Sequence, residues 1–208
     1  MQFELSDRCF YVHCDVTDEN QVQSAVESTV QMHGGLDVMF CCAGVASPSQ
    51  QMVIDLDFPS FDRVMAVNAK GVAACVKHAA RAMVSRGARG SIVCAGSVAG
   101  SRGGLRWTDY HMAKHAVLGL VRAASTQLGA HGIRVNCVSP SGLATPLTAA
   151  AHGKGAEELE RMYEATASLK GVALRAQHVA EAVLFLACDE SEFITGHDLV
   201  VDGGFVRR

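Results

Sequence analysis

The stretch GSIVCAGSVAGSRGGLRWTDYHMAK, residues 90–114, reads as a strand, a turn rich in glycine and serine, and the opening of a helix. Its first part, 90–96, is apolar on both alternating faces, which suits a sheet covered by helices on each side. From position 108 to 131 the pattern turns helical. The same alternation extends outward in both directions. Strand-like runs recur at CFYVHC (9–14), LDVMFCC (36–42), IRVNCVS (133–139) and DLVVDG (198–203). Helical patterns lie between them at 19–33, 58–85 and 177–188, with a less regular stretch at 147–169. Short apolar runs alternating with longer helical segments predict parallel strands joined by crossover helices. The expected fold is therefore an α/β, doubly wound parallel sheet, in one domain spanning 1–208, since no repeat, low-complexity tract or linker interrupts the chain. Asp18 and the Gly34-Gly35 pair supply the chemistry expected at the two ends of the first helix. The segment 45–58, with two serines and a proline, is expected to be a surface loop at the carboxyl edge of the sheet, where such folds bind ligands.

Composition narrows the function. The 208 residues are 49% hydrophobic and 19% charged, with 18 Lys+Arg against 21 Asp+Glu and a formal net charge of −3. No basic excess is left to neutralise a phosphate backbone, so nucleic acid is not an expected partner. No run reaches the ~20 apolar residues of a membrane span. The first twenty residues carry acids where a signal peptide needs a basic and then an apolar stretch, and a cytosolic location is expected. The eight cysteines are spread through apolar segments and read as reduced core residues. Adjacent Cys41 and Cys42 lack the C-x-x-C spacing of metal sites, and His111 and His115, four apart, have no third ligand in view. No metal is expected.

Within the opening stretch Ser97 precedes Tyr110 by thirteen positions, and Lys114 follows four later. This arrangement resembles the active-site segment of the short-chain dehydrogenase/reductase family, a serine followed by Y-x-x-x-K. A bare Y-x-x-x-K is common by chance, but its neighbours agree with it. CDVTD (14–18) is similar to the family's adenine-contacting turn, and VNAKG (67–71) to the segment that carries its asparagine. IRVNCVSPSGLATPL (133–147) and ITGHDLVVDGGF (194–205) are similar to its cofactor-covering segment and last strand. The nearest flavour is a plant branch that includes secoisolariciresinol, xanthoxin and momilactone-type dehydrogenases. The resemblance implies a Rossmann-like sheet and NAD or NADP as cofactor, with NAD favoured by the resemblance alone. It also implies a homodimer or homotetramer built on the long helices 58–85 and 108–131, although their apolar faces would equally be explained by burial within one subunit.

The chemistry follows from residue types. An ordinary tyrosine has a pKa of about 10, too high for efficient proton transfer near neutrality. At i and i+4 on a helix, the Lys114 ammonium shares a face with Tyr110, where it can stabilise a phenolate and reach the ribose hydroxyls of a cofactor. Ser97 can hydrogen-bond the reacting oxygen. The resemblance implies that Asn68 holds a water linking Lys114 to solvent; as an alternative, Asn68 marks a kinked helix. Asp15, Val16, Ala43 and Gly44 are expected to contact the cofactor, with Asp15 open to a second reading as a helix cap. Pro140, Gly142, Leu143 and Thr145, directly after a strand, are expected to meet the nicotinamide carboxamide or simply to form a turn.

The chain also departs from the family pattern. No T-G-x-x-x-G-x-G turn is present, so the chain is expected to lack the first two strands and their helices, leaving 36–42 as an exposed apolar edge. Cys41-Cys42-Ala43-Gly44 stands where the family usually has N-N-A-G, and Arg106-Trp107 replaces a small pair near the tyrosine. Two functions are therefore expected. The first is an NAD(P)-dependent oxidoreductase interconverting an alcohol and a ketone on a small, apolar secondary metabolite, with Tyr110 as acid/base. The alternative is a truncated, non-catalytic relative that at most associates with full-length subunits.

Overall fold

The computed structural model describes residues 9–206. Helix α1 (Glu19–His33) comes first. Strand β1 (Val38–Cys41) follows, then α2 (Phe58–Met65), a π-helical turn (Ala66–Gly71) and α3 (Val72–Arg86). Next come β2 (Gly90–Ala95), α4 (Thr108–Leu128) and β3 (Ile133–Pro140). Helices α5 (Pro146–His152), α6 (Ala156–Thr166) and α7 (Ala176–Ala187) lead to β4 (Asp198–Val201). The strands lie side by side in the order β1-β2-β3-β4, each pair parallel. Parallel neighbours need a crossover from one end of the sheet to the other, and the helices make it.

Strand alternation supplies two hydrophobic faces. Ile92, Cys94, Val135 and Cys137 point into a core shared with α3 and α4, while Val93 and Val138 meet Leu186 of α7 on the other face. This is the doubly wound sheet expected from runs that are apolar on both sides. The register sets Cys41 beside Cys94 and Cys94 beside Cys137, a row of buried thiols across three strands. Cys75 of α3 packs in the same core, and no disulfide joins the described cysteines. Cys9 and Cys42 are exposed, so the core reading does not extend to them.

Helix α1 begins and ends where its cap residues place it: Asp18 accepts a hydrogen bond from the Asn20 N–H, and Gly34 takes the left-handed conformation at φ 77°. Elsewhere the structure corrects the sequence reading. The run 9–14 is not a strand. A strand exists only where a neighbour completes its hydrogen-bond ladder; among the described residues β1 pairs only with β2, and Phe10 and Tyr11 are exposed. The expected helix 58–85 is broken by the π turn, whose wider winding faces Asn68 inward. Gly71 closes that turn against Val16, where a Cβ would sit 2.7 Å from the valine Cγ2. The irregular stretch 147–169 resolves into α5 and α6, separated at Gly153, which adopts φ 64°. Strand β1 is the edge of the described sheet, with Val38 42% and Phe40 39% exposed. Among the described residues, no helix is long and apolar enough to cross a membrane.

Candidate active site

The carboxyl ends of the strands open into the loops that carry the candidate residues, as expected for a parallel sheet. Ser97 lies two residues beyond β2; its hydroxyl accepts from the Ala99 N–H at 3.1 Å and lies near enough to Tyr110 to act on its phenol. Tyr110 sits in the first turn of α4 and Lys114 one turn on. The lysine is 4% exposed, its Nζ donates to the Ala95 carbonyl at 2.8 Å, and it stands 5.5 Å from the centroid of the Tyr110 ring. Serine, tyrosine and lysine are thus brought together. Their electrostatics differ from the sequence expectation. Burial raises the Tyr110 phenol above its ordinary range, opposed by the neighbouring Ser97 hydroxyl, and burial lowers the Lys114 ammonium. The lysine here serves a backbone carbonyl and the face of the ring rather than the phenol oxygen.

Asn68 is fully buried in the π turn, and both ends of its amide are used. Its Oδ1 accepts from the Val45 N–H and its Nδ2 donates to the Val45 carbonyl, each at 2.8 Å. The side chain therefore clamps the loop after β1 next to Gly44, whose added Cβ would lie 3.5 Å from Asn68 Oδ1. The alternative reading of Asn68 as a residue of a distorted helix describes its backbone; its amide is a loop clamp.

The candidate cofactor residues divide into two groups. Asp15 is exposed; its carboxylate accepts from the Thr17 N–H at 2.9 Å and the Thr17 hydroxyl at 2.8 Å, bonds that hold its pKa below the usual range. It shapes the turn before α1, whose N-cap is Asp18. Val16 and Ala43 line an apolar groove of about 270 Å³ beside β1, with Cys14, Cys41 and Cys75. On the other side, Pro140 ends β3 and Gly142 lies against the Tyr163 ring so closely that a Cβ would overlap it. The Leu143 carbonyl accepts from the Thr148 hydroxyl at 2.6 Å. Thr145 caps α5, accepting from the Thr148 N–H. Its hydroxyl is thus engaged in starting a helix.

Several residues around the site escaped the sequence reading. Asp109, one position before Tyr110, is fully buried; its Oδ1 accepts from the Ser47 hydroxyl at 2.5 Å and from the Tyr110 N–H at 2.8 Å, while its Oδ2 has no partner. Tyr163 shares a 3.0 Å hydrogen bond with His152 Nε2, and its phenol is pushed up by burial and by nearby Tyr110. His152 stacks edge-on against Trp107, with ring centroids 5.0 Å apart. Trp107 in turn lines a cavity of about 540 Å³ between the loop after β1 and α5, together with Ser47, Gln50, Leu147 and Ala151. Tyr110 does not line this cavity, but the Ser47–Asp109 bond joins the cavity wall to the residue beside it. His111 and His115, noted for their spacing, meet backbone carbonyls through Nδ1.

A parallel α/β sheet with serine, tyrosine and lysine gathered at its carboxyl end, near a cavity of about 540 Å³, is the arrangement of an oxidoreductase class. The family model described as enoyl-(acyl carrier protein) reductase matches residues 2–206. The (−)-isopiperitenol/(−)-carveol dehydrogenase, mitochondrial, of Mentha piperita is 60% identical over 197 residues, covering 95% of this chain and 74% of that protein. A short-chain type dehydrogenase/reductase from Mycobacterium marinum superposes with a TM-score of 0.86 at 32% identity, covering 95% of this chain and 75% of the other. The structure of ElxO with NADP bound gives 0.82 at 29% identity, covering 93% and 77%. The chain belongs to the short-chain dehydrogenase/reductase family.

Proposed function

We propose that the protein is an NAD(P)-dependent dehydrogenase/reductase that interconverts a hydroxyl and a ketone on a small cyclic terpenoid alcohol of plant secondary metabolism. The observation that carries this reading is the packing of Ser97, Tyr110 and Lys114 at one strand end, beside a cavity with apolar Leu147 and Ala151 in its wall. The 60% identity to a dehydrogenase named for isopiperitenol and carveol supports the substrate class. Within the family, the motifs favour the plant branch given above.

Lys114 tests whether the nicotinamide-ribose half of the cofactor fits. An ammonium has three N–H donors; the bond to Ala95 leaves donors for ribose hydroxyls at a buried position. Asp15 and Val16 stand at the other end of the reading, toward the adenine. When bound, the nicotinamide takes or gives the hydride. The chain's own residues handle the proton. Ser97 donates a hydrogen bond to the substrate oxygen and holds it beside the Tyr110 hydroxyl. Tyr110 gives its proton to that oxygen in reduction and takes it back in oxidation. Lys114, over the ring face, stabilises the phenolate between these events. Asn68 keeps the loop after β1 in place through Val45 and, in the proposed relay, fixes the path by which solvent returns the proton.

The test is oxidation of carveol by the 208-residue chain with NAD⁺ and, separately, NADP⁺, followed by nicotinamide absorbance. Turnover that Tyr110→Phe abolishes supports the reading. No turnover with either cofactor, together with no change in Trp107 emission on adding NADH, favours the alternative of a non-catalytic relative. The proposal includes a homodimer or homotetramer built on the segments 58–85 and 108–131, supported by exposed Phe58, Val84 and Met112 and checked by light scattering. It includes a cytosolic location, which imaging of a tagged chain against a mitochondrial marker decides.

A further inference from the structure

Resting on that reading, we infer that Trp107, held by His152 and Tyr163, is the specificity-determining wall of the cavity and restricts it to compact cyclic alcohols. Four observations converge on Trp107. It is one of two described non-glycine residues with positive φ, at 62°; the other is Gln51, at 45°. Such conformations cost free energy and persist where surrounding structure holds them. The two strained residues belong to the same clasp: the Trp107 N–H donates to the Gln50 carbonyl at 2.7 Å and the Thr108 N–H to the Gln51 carbonyl at 3.1 Å.

A third bond fastens the clasp from inside. The Ser47 hydroxyl donates to buried Asp109 at 2.5 Å, so the loop after β1 is tied to the start of α4 by a side chain as well as by backbone bonds. The indole itself is fixed from the opposite side. His152 meets it edge-on, at an interplanar angle of 90°, and is in turn tied to Tyr163, whose ring packs on Gly142. A line of three aromatic side chains thus runs from the cavity to the glycine beyond β3, and Tyr110 lies close enough to Tyr163 to help raise the Tyr163 phenol.

The cavity, at about 540 Å³, falls within the ~300–1,000 Å³ of small-molecule sites. Its wall sets the indole, Leu147 and Ala151 against polar Ser47, Gln50 and Arg106, in about equal measure. That lining suits a compact ring whose oxygen can meet the polar side. A large planar indole locked at both backbone and ring cannot swing aside as a flexible side chain would, so it excludes long fused-ring alcohols by shape.

Equilibrium dialysis without cofactor tests this, with carveol as the compact probe and a sterol as the bulky one. Trp107→Gly keeps a residue suited to the left-handed backbone while removing the indole. The expected result is a loss of carveol affinity of about tenfold or more together with a gain in sterol binding; Trp107→Phe should stay within about threefold of the parent. In the parent chain carveol should quench Trp107, the sole tryptophan, saturably. Should Trp107→Gly fail to fold, Ala151→Phe, which fills the cavity from the facing helix, should weaken carveol binding by a similar factor. Parent-like carveol binding in Trp107→Gly or, if that variant does not fold, in Ala151→Phe overturns the inference, as does a parent chain that carveol neither binds nor quenches. Binding that obeys the size rule without any turnover sinks the proposed reaction and leaves this wall standing. Turnover of carveol that ignores Trp107 does the reverse.

Discussion

Tyr110 and Lys114 are pushed in opposite directions by the same cause, since burial disfavours the phenolate on one and the ammonium on the other. Without cofactor, therefore, Tyr110 should titrate above the ordinary tyrosine range, seen as a late absorbance step missing from Tyr110→Phe. In turnover the same substitution should cost at least ~100-fold in rate, the usual scale of general acid–base catalysis. Lys114→Ala should weaken cofactor affinity as well as rate, measured by NADH titration against Trp107 emission. His152 is the group with a pH consequence for stability. Burial first, then the charges of Lys154 and Arg106, hold its pKa below 6.5. The folded chain thus binds its proton less readily than the unfolded chain, and stability falls as pH drops from about 6.5 through the lowered folded value. Urea midpoints at pH 7.5 and 5 should show that fall, reduced in His152→Gln. Ser97, Tyr110 and Lys114 were legible in sequence because a fixed interval and one helix turn join them. Tyr163, His152 and Asp109 were not, because the contacts that place them at the site, Gly142 with Tyr163, Trp107 with His152 and Ser47 with Asp109, join different elements and no local spacing announces them.

The π turn shows what an element can hide. Apolar periodicity ran unbroken through 58–85, so the sequence read as one helix; a single wider turn leaves that pattern almost intact while changing where Asn68 points. The loop after β1 depends on it. Asn68→Ala would leave the Val45 N–H and carbonyl without their partners, and we expect a loss of about 1–3 kcal/mol in urea unfolding. The helix ends at Asp18 and Gly34 were readable because caps are local chemistry. The run 9–14 was misread for the converse reason: a strand is a property of a pair, and apolar composition says nothing about whether the pair is completed. Helices α5 and α6 were blurred into one irregular stretch because the cap at Thr145, whose partner Thr148 lies in the same short turn, is less conspicuous than a hydrophobic pattern.

For the molecule as a whole, the parallel sheet and its two covered faces followed from the alternation of apolar runs and helical segments, since a parallel sheet has few ways to bury both sides; the order of its strands is carried by no such local pattern. The edge at β1 is where the whole chain is exposed to association: Val38 and Phe40 lie on a strand with one neighbour in the described sheet. Val38→Lys should reduce concentration-dependent light scattering while changing the urea midpoint little, as a charge on an edge discourages another strand from adding. The thiol row across β1, β2 and β3 carries a separate consequence. In the native interior those sulfurs are shielded, and burial pushes Cys137 up to about 12, far from the reactive anion. Denaturation in air removes that shelter from all of them at once, so recovery after dilution from urea should be poor unless dithiothreitol is present, and non-reducing electrophoresis should show the cross-linked ladder that the reductant prevents.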